Sequence, residues 1–416
     1  MHQIKKSGTL SQSIIAWLLF LYPVSLAVNK TMNDVVSVAI FLFACLFLLS
    51  HGAALKSCLA RARWLWVGAL CLPLALAIVQ HFVLQPPLQL RDMDDLSRFF
   101  ACIPVYFALL ILHPRIRPFL WGCLFFTVYT VPLMLWHLHV MGLERGILPN
   151  GFVGIIPHTS LALILGTLAL TLLVQADGTI RKRALALLLI GCTFSVPLLT
   201  QTRSGLLLAL CLGVMVWALL PNKRLKALVC GTIVALAIIL VVVTNNVLWP
   251  RPDQTLAEIE QYATQDRGVL TSTTTRIELW RFAGKMFAAH PLLGVGNHRF
   301  RSELSVFQAT GKTPSDLAVY SHPHNEFLKA AAEGGLFGAL GLGLLYFVPL
   351  AAARRQYFRA PSAANPALLV IVVAMGFLIA GLVDVVLIWR PTIMFYGLVI
   401  SLLLVKMDRA AEQVPA

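Results

Sequence analysis

Long apolar runs recur along this chain from Ser13 to Val405, each close to the roughly 20 residues a helix needs to cross a bilayer. Charged residues make up only 12% of the 416 residues and hydrophobic ones 58%, with a mean hydropathy of +0.80. A soluble domain carries about 25% charged residues, so too few charges remain here to coat a water-soluble surface. The runs do not alternate apolar and polar residues, which excludes a membrane barrel. The pattern predicts an all-α polytopic membrane protein of about twelve transmembrane helices. They fall near 13–28, 34–50, 64–83, 98–112, 118–138, 155–175, 184–200, 204–220, 226–244, 326–352, 365–387 and 391–406.

The net charge of +15 has a simple origin in such a chain. Lys and Arg collect in alternate connections, among them Arg61 and Arg63, Arg115 and Arg117, Arg181 to Arg183, and Arg354, Arg355 and Arg359. The rule that cytoplasmic loops are basic then puts both termini in the cytoplasm. Nucleic acid is excluded as a partner, because no basic run exceeds three residues and no aromatic interleaving accompanies one. The first run follows Lys5 and Lys6 as in a signal peptide, but lacks a small-residue cleavage site and reads as an uncleaved span. The eight cysteines lie in or beside apolar runs with no CxxC pair, which argues against disulfides and a zinc–thiolate site.

Three parts follow: 1–244 with the first nine spans, 245–325 as one large outer loop, and 326–416 with the last three spans. The loop is nearly charge-balanced, with eight basic and seven acidic residues. Within it, Thr275-Arg-Ile-Glu278 fits a capping box, with Thr275 as N-cap. The helix it predicts puts Ile277, Trp280, Gly284 and Phe287 on one apolar face and stops before Pro291.

Residues suited to chemistry gather near the outer ends of the spans. In Ser321-His-Pro-His-Asn325, Pro323 disfavours helix before it, so the next span starts near His324. An imidazole at a helix N-terminus is favoured in its neutral form, which can accept a proton. His322 and His324 also have a spacing that permits metal binding, but the three or four clustered ligands zinc prefers are not evident, and no metal is expected. Arg203 stands in a tight turn between two spans and Arg276 near the start of the loop helix. Guanidiniums beside helix N-termini suit a phosphate, and ordinary snorkelling to lipid headgroups is the alternative. Arg98 lies one turn inside an apolar run, after a formal Asp92-x-Asp94 motif that a helix N-cap explains as well. Lys329 and Glu333 are spaced to pair on one helix. Glu333 precedes a small-residue face of Gly334, Gly335, Gly338 and Gly341 suited to close helix packing. Asp384 reads as an intramembrane carboxylate with no local partner.

In order along the chain stand Arg203-Ser-Gly-Leu-Leu207, Arg276-x-x-x-Trp280, His290-Pro-Leu-Leu-Gly-Val-Gly296 with Phe300, His324-Asn-x-x-Leu328, and Glu333-x-Gly335. Together they resemble the signature of the bacterial O-antigen ligase/polymerase superfamily. The resemblance implies a GT-C-like membrane glycosyltransferase with its large loop between helices 9 and 10. It would act at the periplasmic face of the Gram-negative inner membrane, without metal, ATP or other cofactor. The implied donor is an undecaprenyl diphosphate-linked glycan, the implied acceptor a lipid A–core sugar, and membrane lipids surround both. By motif, Arg203 and Arg276 would hold the diphosphate and His324 would be the base of a single inverting displacement. His322, Arg98, Asn325, Trp280, Glu333 and Asp384 are candidate supporting residues. An O-antigen polymerase and a protein O-oligosaccharyltransferase share the pattern. A lipid-linked glycan flippase or transporter is the alternative of another class, and would spread its charges through the membrane depth rather than collect them at one surface.

Overall fold

The computed structural model describes residues 2–84, 90–142, 154–175, 180–219, 272–309, 319–359 and 366–412, with the single residues 231 and 317. These residues form helices and turns with no strand among them. In chain order the helices are α1 (His2–Val28), α2 (Lys30–Ser50), α3 (Gly52–Leu59), α4 (Trp64–Leu84), α5 (Leu90–Leu112), α6 (Arg117–His139) and α7 (Ile155–Gln175). They continue as α8 (Ile180–Leu199), α9 (Arg203–Leu219), α10 (Ser272–Ala289), α11 (Phe300–Ala309), α12 (Glu326–Arg359), α13 (Pro366–Val383) and α14 (Arg390–Glu412). Among the described residues eight helices are long and apolar enough to cross a membrane, namely α1, α2, α4, α5, α6, α12, α13 and α14. Shorter apolar stretches in α7, α8 and α9 cover Ile155–Leu170, Ala184–Leu199 and Arg203–Met215. Each coincides with a predicted run, and the described residues are those of an all-helical polytopic membrane protein. The run near 226–244, residue 231 apart, and the loop from 245 to 271 lie outside the described residues.

Helix α14 is the axis of the bundle. Every residue from Pro391 to Val405 is buried, against α5 and α13 among others. A helix apolar on all sides belongs in an interior, and its few polar groups are paired. Ser401 accepts a hydrogen bond from the Trp66 indole at 3.0 Å, and the Tyr396 hydroxyl donates to the Leu345 carbonyl at 2.7 Å. Peripheral helices are apolar on both faces. In α2, Val36, Ile40, Ala44 and Phe47 are buried, while Val35, Val38, Leu42, Leu46 and Leu49 are exposed in a stripe fit for lipid.

The segment with α10 and α11, which the sequence reading expects in the outer loop, docks on a break in α12. Gly335 has φ 60° and ψ −151°, which interrupts the helix. The freed backbone is satisfied by the turn after α10: Val295 N–H donates to Ala332 O, Gly296 N–H to Glu333 O, and Leu336 N–H to Pro291 O, at 2.8–3.0 Å. A Cβ at Gly335 would stand 2.4 Å from the Leu292 carbonyl, and one at Gly294 (φ +65°) 2.3 Å from the Glu333 carbonyl carbon. Two sequence motifs, Pro291 to Gly296 and Glu333-x-Gly335, thus meet as two halves of one backbone crossing. Gly338 and Gly341 face Leu76 and Leu72 of α4, as the small-residue face predicted.

Helix α10 departs from expectation. It already runs from Ser272, so Thr275 is a buried interior residue rather than an N-cap. Its buried face is Leu279, Phe282, Ala283 and Met286, which share a small core with Val295, Phe300, Leu304, Leu317 and Ala332. Trp280 and Gly284 are on the exposed side. Two apolar stripes coexist in the sequence, and the one matched by partners in the outer segment is the one buried. The end at Ala289, before Pro291, is as predicted.

Candidate active site

One cavity of about 830 Å³ opens at an end of the bundle. It is within the range of sites that enclose a sizeable ligand. Its wall comprises the start of α7 at Gly154–Pro157, the α8–α9 turn at Gln201–Ser204, one side of α10, and the loop that leads into α12. The connection between α13 and α14 completes it. Arg203, Arg276, Trp280, His322, His324, Asp384 and Trp389 all line it.

Local sequence explains each position. Arg203 is the first residue of α9. The turn before it is knotted by Thr159, Thr200 and Thr202, whose hydroxyls lie 2.9–3.0 Å apart in a chain. Gly205 lets this turn close, since a Cβ there would stand 2.5 Å from the Thr202 hydroxyl and 2.6 Å from a Thr159 methyl. Arg276 stands one turn into α10. The N-terminal turns of α7, α9 and α10 thus all reach the cavity wall, and the positive ends of their helix dipoles add to the potential of the two guanidiniums. This is a setting for an anion.

His324 has φ +51°, a left-handed backbone uncommon outside glycine. The turn is held on both sides: the Trp280 indole donates to the Pro323 carbonyl at 2.9 Å, and Asn325 Oδ1 caps α12 at the Leu328 N–H, 3.0 Å away. The strained turn aims the imidazole at Asp384, with Nδ1 2.9 Å from Oδ1. Asp384 is almost fully buried, while the imidazole is 24% exposed on the cavity side. A carboxylate on Nδ1 fixes that nitrogen as the protonated one and leaves Nε2 to accept a proton. His322 stacks edge-on against His324, with ring centroids 4.6 Å apart, and its Nδ1 accepts the His324 backbone N–H at 3.3 Å. Burial first, and then the neighbouring His324, pushes the His322 imidazole down to about 4.

Several sequence expectations need correction here. Asp384 is not a partnerless carboxylate inside a span. α13 ends at Val383, and Asp384 begins a buried connection, bonded to His324 and to the Val385 N–H. The apolar run Val385–Trp389 looks like membrane helix in sequence but folds as that connection. Arg98 is not on the cavity; it faces Asp34 at 3.6 Å and Asp94 at 3.9 Å. Asp94 and Asp95 are both engaged with Arg390, so Asp94 reads as an anchor for α14 rather than as half of an Asp-x-Asp motif. Glu333 lines a separate cavity of about 110 Å³, pairs with Lys329, and accepts the Phe300 N–H at 3.1 Å, capping α11. Missed by sequence reasoning were Trp389, Gln201 and Thr202, which line the cavity, and the His298–Asp95 contact at 3.3 Å that ties the outer segment to α5. No spacing pattern announces them, since each depends on helices far apart in sequence.

Fold and site define a multi-pass membrane protein with a carboxylate-bonded histidine and two arginines on one cavity at a bundle end. Residues 184–343 match the family model described as O-antigen ligase, the superfamily whose motifs the chain resembles. That stretch contains Arg203, Arg276 and His324. No curated protein matches the chain.

Proposed function

We propose that the protein is an O-antigen ligase. It transfers a glycan from undecaprenyl diphosphate to a sugar of lipid A–core at the periplasmic face of the inner membrane. The observation that carries this reading is the shared cavity of His324, held by Asp384, with Arg203 and Arg276. Nε2 of His324 takes the proton of an acceptor hydroxyl as its oxygen attacks the anomeric carbon. The bond between that carbon and the diphosphate oxygen breaks, and the electron pair leaves with undecaprenyl diphosphate. Asp384 stabilises the imidazolium that forms, and the base contributes about 10²–10⁴ in rate. Arg203 and Arg276 neutralise the charge that grows on the leaving diphosphate. One displacement inverts the anomeric centre, with no covalent enzyme intermediate.

A second reading has a specific observation behind it. His322, His324 and Asp384 each offer a ligand atom within 4.8 Å of the others, a donor set that suits a divalent cation. The base reading is preferred because the His324–Asp384 hydrogen bond already uses two of those atoms and the guanidiniums supply the cationic charge. The test is transfer by purified protein in liposomes, with lipid-linked donor and lipid A–core acceptor. Glycosylated core, formed equally well in a chelator, supports a metal-free ligase. Growth of the lipid-linked glycan with core untouched points to a polymerase. Loss of transfer in chelator, restored by zinc, assigns the cluster to a metal.

A further inference from the structure

Three consecutive residues, His324, Asn325 and Glu326, grip the last turn of α13 and the connection that leads from it to α14. His324 holds the Asp384 carboxylate, and the Asn325 side-chain amide donates to the Leu382 carbonyl at 3.0 Å. The Glu326 Oε1 accepts the Leu387 backbone N–H at 2.5 Å. Glu326 is only 4% exposed and its other oxygen accepts the Tyr346 hydroxyl at 2.6 Å. Its space is reserved, since a Cβ at Gly381 would stand 2.6 Å from Oε2. Glu326 does not line the large cavity, and the reaction above makes no use of it.

A buried carboxylate is expensive to desolvate, and it persists where its hydrogen bonds fix something. What this one fixes is the backbone three residues beyond Asp384 and two before Trp389, both on the cavity wall. An aspartate serves a base only while its oxygen stays on Nδ1, and a displacement of about 1 Å can cost about 10²-fold in rate. We infer that Glu326 is a positioning residue: its hydrogen bond to Leu387 holds the Asp384 connection in register with His324. This inference rests on the proposal that His324 is the base.

The measurement is kcat and donor KM for transfer in liposomes. Glu326→Ala is expected to lower kcat about 10- to 100-fold with donor KM within about threefold, because Arg203 and Arg276 stand on other elements. Glu326→Gln keeps an oxygen for Leu387 and can donate to Tyr346, so it should stay within about threefold of wild type. In an Asp384→Ala background, Glu326→Ala should add less than about threefold, since both act through one contact. Wild-type kcat in Glu326→Ala, equal loss in Glu326→Gln, or full additivity with Asp384→Ala overturns the inference. If Glu326→Ala does not insert, the Gln variant alone decides by the same limits. A separate His324→Ala variant tells the two ideas apart: its activity sinks the base, whereas an inactive His324→Ala beside a fully active Glu326→Ala sinks only the positioning role.

Discussion

The His324–Asp384 contact explains why a strained residue is tolerated at the start of α12. Left-handed backbone costs an ordinary residue about 1–2 kcal/mol, and such strain persists where surrounding contacts over-determine it. Asp384→Asn keeps the size of the side chain but presents the wrong group to Nδ1 in half its orientations. It should cut kcat about 10- to 100-fold with little change in donor KM; an unchanged kcat would remove Asp384 from the account. His322 makes a distinct prediction. Its folded-state value of about 4 lies below the ordinary 6.5, so between those limits the unfolded chain binds more protons and stability rises with pH. Acidification from pH 6.5 toward 4 should therefore lower Tm, and His322→Gln should flatten that slope. The same slope in both proteins would mean another group is responsible. Among the arginines, Arg203→Ala and Arg276→Ala should impair transfer far more than Arg299→Ala, whose side chain is not on the cavity. Equal losses in a transfer assay would reassign the phosphate contacts.

At the scale of elements, the break at Gly335 and the turn at Gly294 act as one joint. A methyl group at either position meets backbone, which cannot move aside as a side-chain tip can. Gly294→Ala or Gly335→Ala should destabilise the docking of the outer segment by at least about 1–2 kcal/mol, seen as faster proteolysis between α10 and α12. Unchanged proteolysis would mean that the crossing is not what holds the segment. Much of this level was legible in the sequence. The apolar runs gave the helices because bilayer thickness leaves few alternatives, and the Pro291 stop held because proline removes a donor. The start of α10 was misread because Thr275 and Glu278 imitate a cap while being buried in a core that only distant residues complete. The Val385–Trp389 connection was misread for a related reason. Its hydrophobicity reports burial, and burial beside α14 looks the same in sequence as burial in lipid. His324, Arg203 and Arg276 were legible because charge is conspicuous at the ends of apolar helices. Glu326 was hidden because a carboxylate at the first turn of a helix is ordinary.

At the scale of the whole molecule, charge is arranged by depth. The candidate site gathers where α7, α9, α10 and α12 begin, while basic residues such as Arg354, Arg355 and Arg359 stand at the far end of α12. The proposed ligase reaction needs this polarity, because its donor and acceptor are both lipids whose sugars project from one face of the membrane. The proposed topology, with both termini in the cytoplasm, predicts that a cysteine placed at exposed Leu292 reacts with a membrane-impermeant thiol reagent added from the periplasmic side. Labelling only after lysis would invert the topology. The central claim is that a base and two fixed cations act together on a lipid-borne diphosphate. Its most direct test is the single-turnover rate of purified His324→Ala, folded and reconstituted with lipid-linked donor and core acceptor. The predicted result is a fall of at least about 10²-fold with donor binding retained, whereas transfer at the wild-type rate would contradict the account.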